Sequence, residues 1–169
     1  TIPGGPNITK WQSINTTILS IATGIARIKI GDLDNDGDND VVNVDDSGNI
    51  SVFNNTGTLD ISQWTYSLTR VHVVDCCPAY TVSGLDIGDL DNDGDNDIAI
   101  GVTSGAAGVS RISVYNNTGT TINITQWPVI NRSIGNDIRA VAIGDMDNDG
   151  DNDIVAALNT EERISVYNN

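Results

Sequence analysis

The chain has few of the side chains that usually fill a protein interior: one Phe, three Trp and four Tyr in 169 residues, or 5% aromatic. With 38% hydrophobic residues a core can still form, but it has to be built in thin layers of Val, Ile and Ala within a length typical of one domain. Positive charge is also scarce. Eight Lys and Arg stand against 23 Asp and Glu, for a net charge of −15. That balance repels phosphate backbones and anionic lipid surfaces, which argues against nucleic acid and membrane partners. No apolar run approaches the ~20 residues that span a bilayer, so no membrane insertion is expected, and no basic-then-apolar leader stands at the front. A first residue of Thr1 rather than Met is expected of a processed form or of a piece of something longer.

Two cysteines, Cys76 and Cys77, are adjacent and are the only ones. They offer no spaced metal-ligand set. In an oxidising compartment a disulfide is expected of them, either vicinal or to another chain, with free thiols as the alternative. The single histidine, His72, has no recognisable catalytic partner, and no nucleophile-elbow pattern occurs. An enzyme is not expected.

What the chain does have is acid in concentrated form and a repeat. Three stretches, Asp32 to Asp40, Asp89 to Asp97 and Asp145 to Asp153, hold fifteen of the 23 acidic residues. They lie within IGDLDNDGDND from Ile30, the same eleven residues from Ile87, and IGDMDNDGDND from Ile143, so the starts are 57 and 56 residues apart. An apolar run follows each, then a turn, then ISVFNN from Ile50 or ISVYNN from Ile112 and Ile164. A further element carries DISQW ending at Trp64 and NITQW ending at Trp127.

A unit of strand, acidic loop, strand, turn, strand, turn, strand predicts an all-β fold of four-stranded β-propeller-type blades. The expected organisation is a single repeat domain, residues 1–169, with blades over 26–70, 82–133 and 138–169. The third blade lacks its last strand, and residues 1–20, with NITKW ending at Trp11, match that missing piece. One blade is thus split between the two ends. Three outcomes remain open: a ring closed within one chain, strand exchange between copies, or a part of a larger propeller.

In the first loop Asp32, Asp34, Asp36 and Asp40 take positions one, three, five and nine, with Gly37 at six and, at seven, Asp38, whose carbonyl can supply an oxygen while its side chain faces water. Alternate carboxylates in a tight loop can converge on one centre, and a glycine after the third permits the sharp turn. Asp89, Asp91, Asp93, Asp95 and Asp97 form the second set, and Asp145, Asp147, Asp149, Asp151 and Asp153 the third. All the donors are oxygens, which favours calcium, one ion per loop, over zinc or copper. Three such ions would take the net charge from −15 to −9 (−15 + 6). An EF-hand needs a Glu at position twelve, where this chain has Asn43, Ile100 and Ala156. Solvated turns without metal are the bland alternative; otherwise the ion is expected to be structural rather than ligand-bridging.

Asn-x-Ser/Thr acceptors at Asn7, Asn15, Asn49, Asn54, Asn116, Asn123 and Asn131 make the chain a candidate glycoprotein. Trp11, Trp64 and Trp127 recur once per repeat, either as packing between blades or as platforms for sugar rings. The nine-residue aspartate loop, with an apolar-Gly-Asp lead-in and an apolar strand behind it, resembles the FG-GAP and VCBS repeats of integrin-like propellers and secreted microbial surface proteins. That resemblance implies a calcium-bound propeller, extracellular, secreted or at the cell surface, with a structural or adhesive role. Expected partners are other copies of the chain or other surface proteins, with assembly into a filament as one form. A carbohydrate-binding propeller, with glycans as ligands, is the alternative.

Overall fold

The computed structural model describes residues 24–45, 47–58, 63–70, 80–104, 110–119, 122–135 and 137–169. Residues 1–20, Trp11, Asn7, Asn15, His72 and the Cys76–Cys77 pair lie outside them.

Val- and Ile-rich runs between polar turns form eleven strands among the described residues. They are β1 (Ile25–Gly31), β2 (Asp40–Asp45), β3 (Asn49–Asn54), β4 (Thr65–Arg70), β5 (Tyr80–Gly88), β6 (Asp97–Ser104), β7 (Arg111–Tyr115), β8 (Val129–Ser133), β9 (Ile138–Gly144), β10 (Asp153–Leu158) and β11 (Arg163–Tyr167). Each pairs antiparallel with its neighbour in sequence, giving sheets β1-β2-β3-β4, β5-β6-β7-β8 and β9-β10-β11. No α-helix occurs among the described residues. The architecture is the all-β, propeller-type arrangement expected from the repeat. Among these residues no strand pairs with the outer edge of β11.

The register repeats from sheet to sheet. Gly31 opposes Asp40, Gly88 opposes Asp97 and Gly144 opposes Asp153, so each acidic loop joins the innermost strand to the second at the same point. Tight turns are held locally: in the β2–β3 hairpin the Asp45 carboxylate accepts from the backbone N–H of Ser47 and Asn49, each at 2.8 Å.

The sheets stack, β1 against β5 and β5 against β9. Between the first two lies the larger core, with Leu33, Val42, Val44, Ile50 and Val52 from one side meeting Val82, Leu85, Ile98, Ile100, Val102, Tyr115, Ile124 and Trp127 from the other. A smaller core of Ile112, Ile138, Val141, Ala156 and Leu158 joins the second sheet to the third. Glycine permits the close approach. A Cβ at Gly84 would stand 2.5 Å from the backbone nitrogen of Val141, and one at Gly31 would stand 2.9 Å from Cγ2 of Ile87.

Candidate metal centres

Each loop turns back on itself through a fixed set of hydrogen bonds. The sixth-position glycines, Gly37, Gly94 and Gly150, have φ of 92°, 93° and 100°, a conformation open to glycine and costly for other residues. Their N–H groups donate to one oxygen of the first aspartate: Gly37 to Asp32 at 3.0 Å, Gly94 to Asp89 at 3.0 Å and Gly150 to Asp145 at 3.1 Å. The fifth-position carboxylate caps the seventh residue, as Asp36 does for the N–H of Asp38 at 2.9 Å; Asp93 and Asp149 repeat this with Asp95 and Asp151.

The ninth aspartate clasps the loop. Asp40 accepts from Leu33 N–H and Asn55 N–H, both at 2.8 Å. Asp97 accepts from Leu90 at 2.8 Å and Asn117 at 2.7 Å, and Asp153 from Met146 at 2.9 Å and Asn169 at 3.0 Å. All three are buried. Burial pushes the Asp40 carboxyl up to about 6; the two backbone donors oppose the rise, and Asp34 and Asp36 add to it. Burial likewise pushes Asp97 up to about 6, with Asp91 and Asp93 contributing. Asp95 and Asp147 are also raised, by desolvation first and then by Asp93 and Asp149 respectively. Without a cation, each loop crowds negative charge against itself.

The carboxylates converge in three groups whose oxygens lie within 4.8 Å of one another: Asp32, Asp34 and Asp36; Asp89, Asp91 and Asp97; Asp145, Asp147 and Asp153. Each group could hold a metal ion. The decisive atoms are Oδ1 of Asp32, Asp34 and Asp89, which are buried and accept no hydrogen bond. An anionic oxygen in that state is costly unless a cation meets it. The residues present therefore fit a hard divalent ion.

The seventh-position aspartates are placed elsewhere. Asp95 accepts from Nδ2 of Asn35 in the preceding loop at 2.6 Å, and Asp151 accepts from Asn92 in the same way. Asn96 and Asn152 reach back to the carbonyls of Asp32 and Asp89, each at 2.7 Å. The loops are stitched to one another across the stacked sheets.

A second class of loop residue is Asn54, Asn116 and Asn168, whose Nδ2 groups donate to the third-position Asp34, Asp91 and Asp147. Sequence reasoning placed Asn54 and Asn116 among the glycan acceptors and did not connect them to the loops. The recurrence of the Asn pair after ISVF or ISVY in all three copies was the available signal. A glycan on Nδ2 competes with that bond, and at Asn49 with one to Asp45 at 2.7 Å. Asn123 and Asn131 use their Oδ1 as acceptors, from Thr125 and Ser113, each at 2.6 Å.

The profile of the FG-GAP-like repeat matches residues 32–100 and 89–156, together 125 of the 169 residues. The chain belongs to the FG-GAP-like repeat family. None of the curated proteins compared with the chain matches it. Repeats of this family are typical of extracellular proteins, and of structural or adhesive modules rather than catalytic ones. In this FG-GAP-like chain no helix among the described residues is long and apolar enough to cross a membrane.

Proposed function

We propose that this chain is a calcium-stabilised extracellular structural or adhesive module, one ion per aspartate loop, whose copies associate with one another. The observation that carries the reading is the set of buried, unpartnered carboxylate oxygens on Asp32, Asp34 and Asp89, inside loops that repeat the same backbone hydrogen bonds three times. Calcium takes six to eight oxygen ligands in flexible geometry and suits a carboxylate-rich loop with backbone carbonyls nearby. Magnesium demands near-ideal octahedral geometry and keeps its waters.

Bound calcium supplies positive charge where the loop concentrates negative charge. Asp32, Asp34 and Asp36, Asp89, Asp91 and Asp97, and Asp145, Asp147 and Asp153 would hold it, with the Asn54, Asn116 and Asn168 amides fixing the third-position carboxylates. Each loop joins the first strand of its sheet to the second and is tied to the next loop by asparagine hydrogen bonds, so ion binding and sheet stacking reinforce each other. The role supported is scaffolding.

The carbohydrate-binding alternative draws less support. Trp127 is only 6% exposed and packs in the core between sheets, which leaves no ring face for a sugar. Trp64 is half-buried and spends its indole N–H on the Thr58 carbonyl at 3.0 Å.

Calorimetric titration of the calcium-stripped chain tests the proposal. Three equivalents of calcium are expected, with Asp32→Ala and Asp89→Ala each removing one. Absence of heat with calcium, or equal affinity for magnesium, would refute it.

A further inference from the structure

The two internal junctions between sheets share one set of contacts, and both ends of the stack present one half of it. At the first junction Ile87 lies over Gly31, and at the second Ile143 lies over Gly88. The register makes Ile30 the equivalent of Ile87 and Ile143, and Ile28 the equivalent of Leu85 and Val141. Leu85 and Val141 are buried, whereas Ile28 is 58% exposed and Ile30 65%. At the other end, a Cβ at Gly144 would meet none of the described residues within 4 Å. The polar stitches run out in the same way. By the pattern of Asn96 and Asn152, Asn39 has the Asp145 carbonyl as its counterpart, and by the pattern of Asn35 and Asn92, Asn148 has the Asp38 carboxylate.

A cavity of about 310 Å³ lies beside β11, whose outer edge pairs with no described strand, and is lined among others by Leu90, Ile112, Val114, Ile154, Tyr167 and Asn169. At the first junction the equivalent residues Leu33, Ile50, Val52 and Tyr115 form one core with Ile124 and Trp127. Ile124 and Trp127 belong to NITQW, just before β8. The chain carries one further close match to that element, NITKW over residues 7–11, in which Ile8 stands for Ile124 and Trp11 for Trp127; residues 13–17 then correspond to β8.

We infer that the open face of the third sheet receives a second copy of this chain, whose Ile30 covers Gly144 with Ile28 packed beside it on the same sheet, and whose residues 7–17 run along β11 with Trp11 filling the cavity. The inference rests on the proposal that copies associate, and it names the surfaces. Only seven residues, 18–24, separate the segment from β1, a span of at most about 25 Å. The segment and Ile30 therefore go to the same neighbour, as β8 and β9 do on either side of residues 134–137. Among residues 1–169 Ile30 is exposed and Gly144 meets no described residue, so the two surfaces do not cover each other within the chain, and a second copy carries the complement of each. The contact is head to tail, a heterologous interface that closes a ring or continues as a fibre. It brings the Asp32 loop of one copy against the Asp145 loop of the next, so calcium in both favours assembly.

Directional cross-linking tests this. In a Cys76→Ser, Cys77→Ser background, the Ile30→Cys chain is mixed with the Gly144→Cys chain in calcium under mild oxidation. A Cβ built at Gly31 lies 3.6 Å from Cβ of Ile87, and one at Gly88 lies 3.4 Å from Cβ of Ile143, close to the separation a disulfide requires. A covalent heterodimer is expected from the mixture and from neither chain alone. Adding Trp11→Ala to the Ile30→Cys chain should cut the yield at least tenfold, while the same change in the Gly144→Cys chain should leave it unaltered. No heterodimer, or equal sensitivity to Trp11→Ala on either side, would overturn the inference. If calcium still raises the melting temperature in that case, the docking scheme alone falls. If chains cross-link while calcium leaves the melt unchanged, the calcium proposal falls instead.

Discussion

Replacing Trp127 by Ala distinguishes packing from ligand binding. The side chain is 6% exposed and shares a core with Leu33, Ile50, Val52 and Tyr115, so truncation empties the seam between the first and second sheets. A buried Trp hides about 150–250 Å², worth ~4–6 kcal/mol at ~25 cal/mol per Å². Measured losses for large aromatic-to-Ala changes fall near ~3–5 kcal/mol, and we expect ~4 kcal/mol here because β-sheet backbones on both sides limit collapse of the hole. Against a total stability of order 5–15 kcal/mol, that is a large fraction. Urea unfolding of wild type and variant, both in calcium, measures it as a lower midpoint at similar slope. Trp64→Ala, at a half-buried ring, should cost less than half as much. A loss below about 1 kcal/mol for Trp127→Ala, accompanied by lost binding on a glycan array, would refute the packing account and favour a sugar site.

Two further outcomes follow from the same geometry. Gly84→Ala drives a Cβ to 2.5 Å from the Val141 backbone nitrogen, which cannot rotate away, and should destabilise by ~1–3 kcal/mol; Gly144→Ala has open space and should stay within about 0.5 kcal/mol on the isolated chain, both by urea unfolding. Folded Asp40 and Asp97 titrate near 6, above an unfolded carboxylate at about 4, so the folded state holds the extra protons. Stability of the calcium-stripped chain should therefore fall as pH rises from about 4 to 6, and calorimetry should show a higher melting temperature at pH 5 than at pH 7. Calcium should reverse that order, since protons compete with the ion; a metal-free chain that grows more stable toward pH 7 would contradict the burial argument.

The repeat made much of this legible in the sequence. Three acidic loops at matching offsets, each between apolar runs, fix the strand order and put the loop at the same corner of every sheet. Glycine at position six could be read because the sharp turn needs its φ, and Gly37, Gly94 and Gly150 have it. The division of labour among the carboxylates was legible only at position seven, where the side chain was expected to face water, and Asp38, Asp95 and Asp151 do lie outside the converging groups. Asp95 and Asp151 are turned to asparagines of the preceding loop. The other four aspartates per loop look alike in sequence. Asp97 and Asp153 both join a cluster and clasp backbone amides. Those roles depend on how one sheet sits on the next, which spacing along a chain does not encode. The same holds for Asn54 and Asn116, where a short acceptor motif masked a hydrogen bond to a residue 20 and 25 positions away, respectively.

Thermal unfolding in saturating calcium and in excess chelator tests the central claim most directly. An ion bound only to the folded loop adds about 2.7 kcal/mol at a concentration 100 times its Kd, so three sites add ~8 kcal/mol. At ~2–4 °C per kcal/mol for a domain of this size, calcium should raise the melting temperature by ~15–30 °C, with magnesium giving much less. Superimposable melting curves with and without calcium would contradict the account.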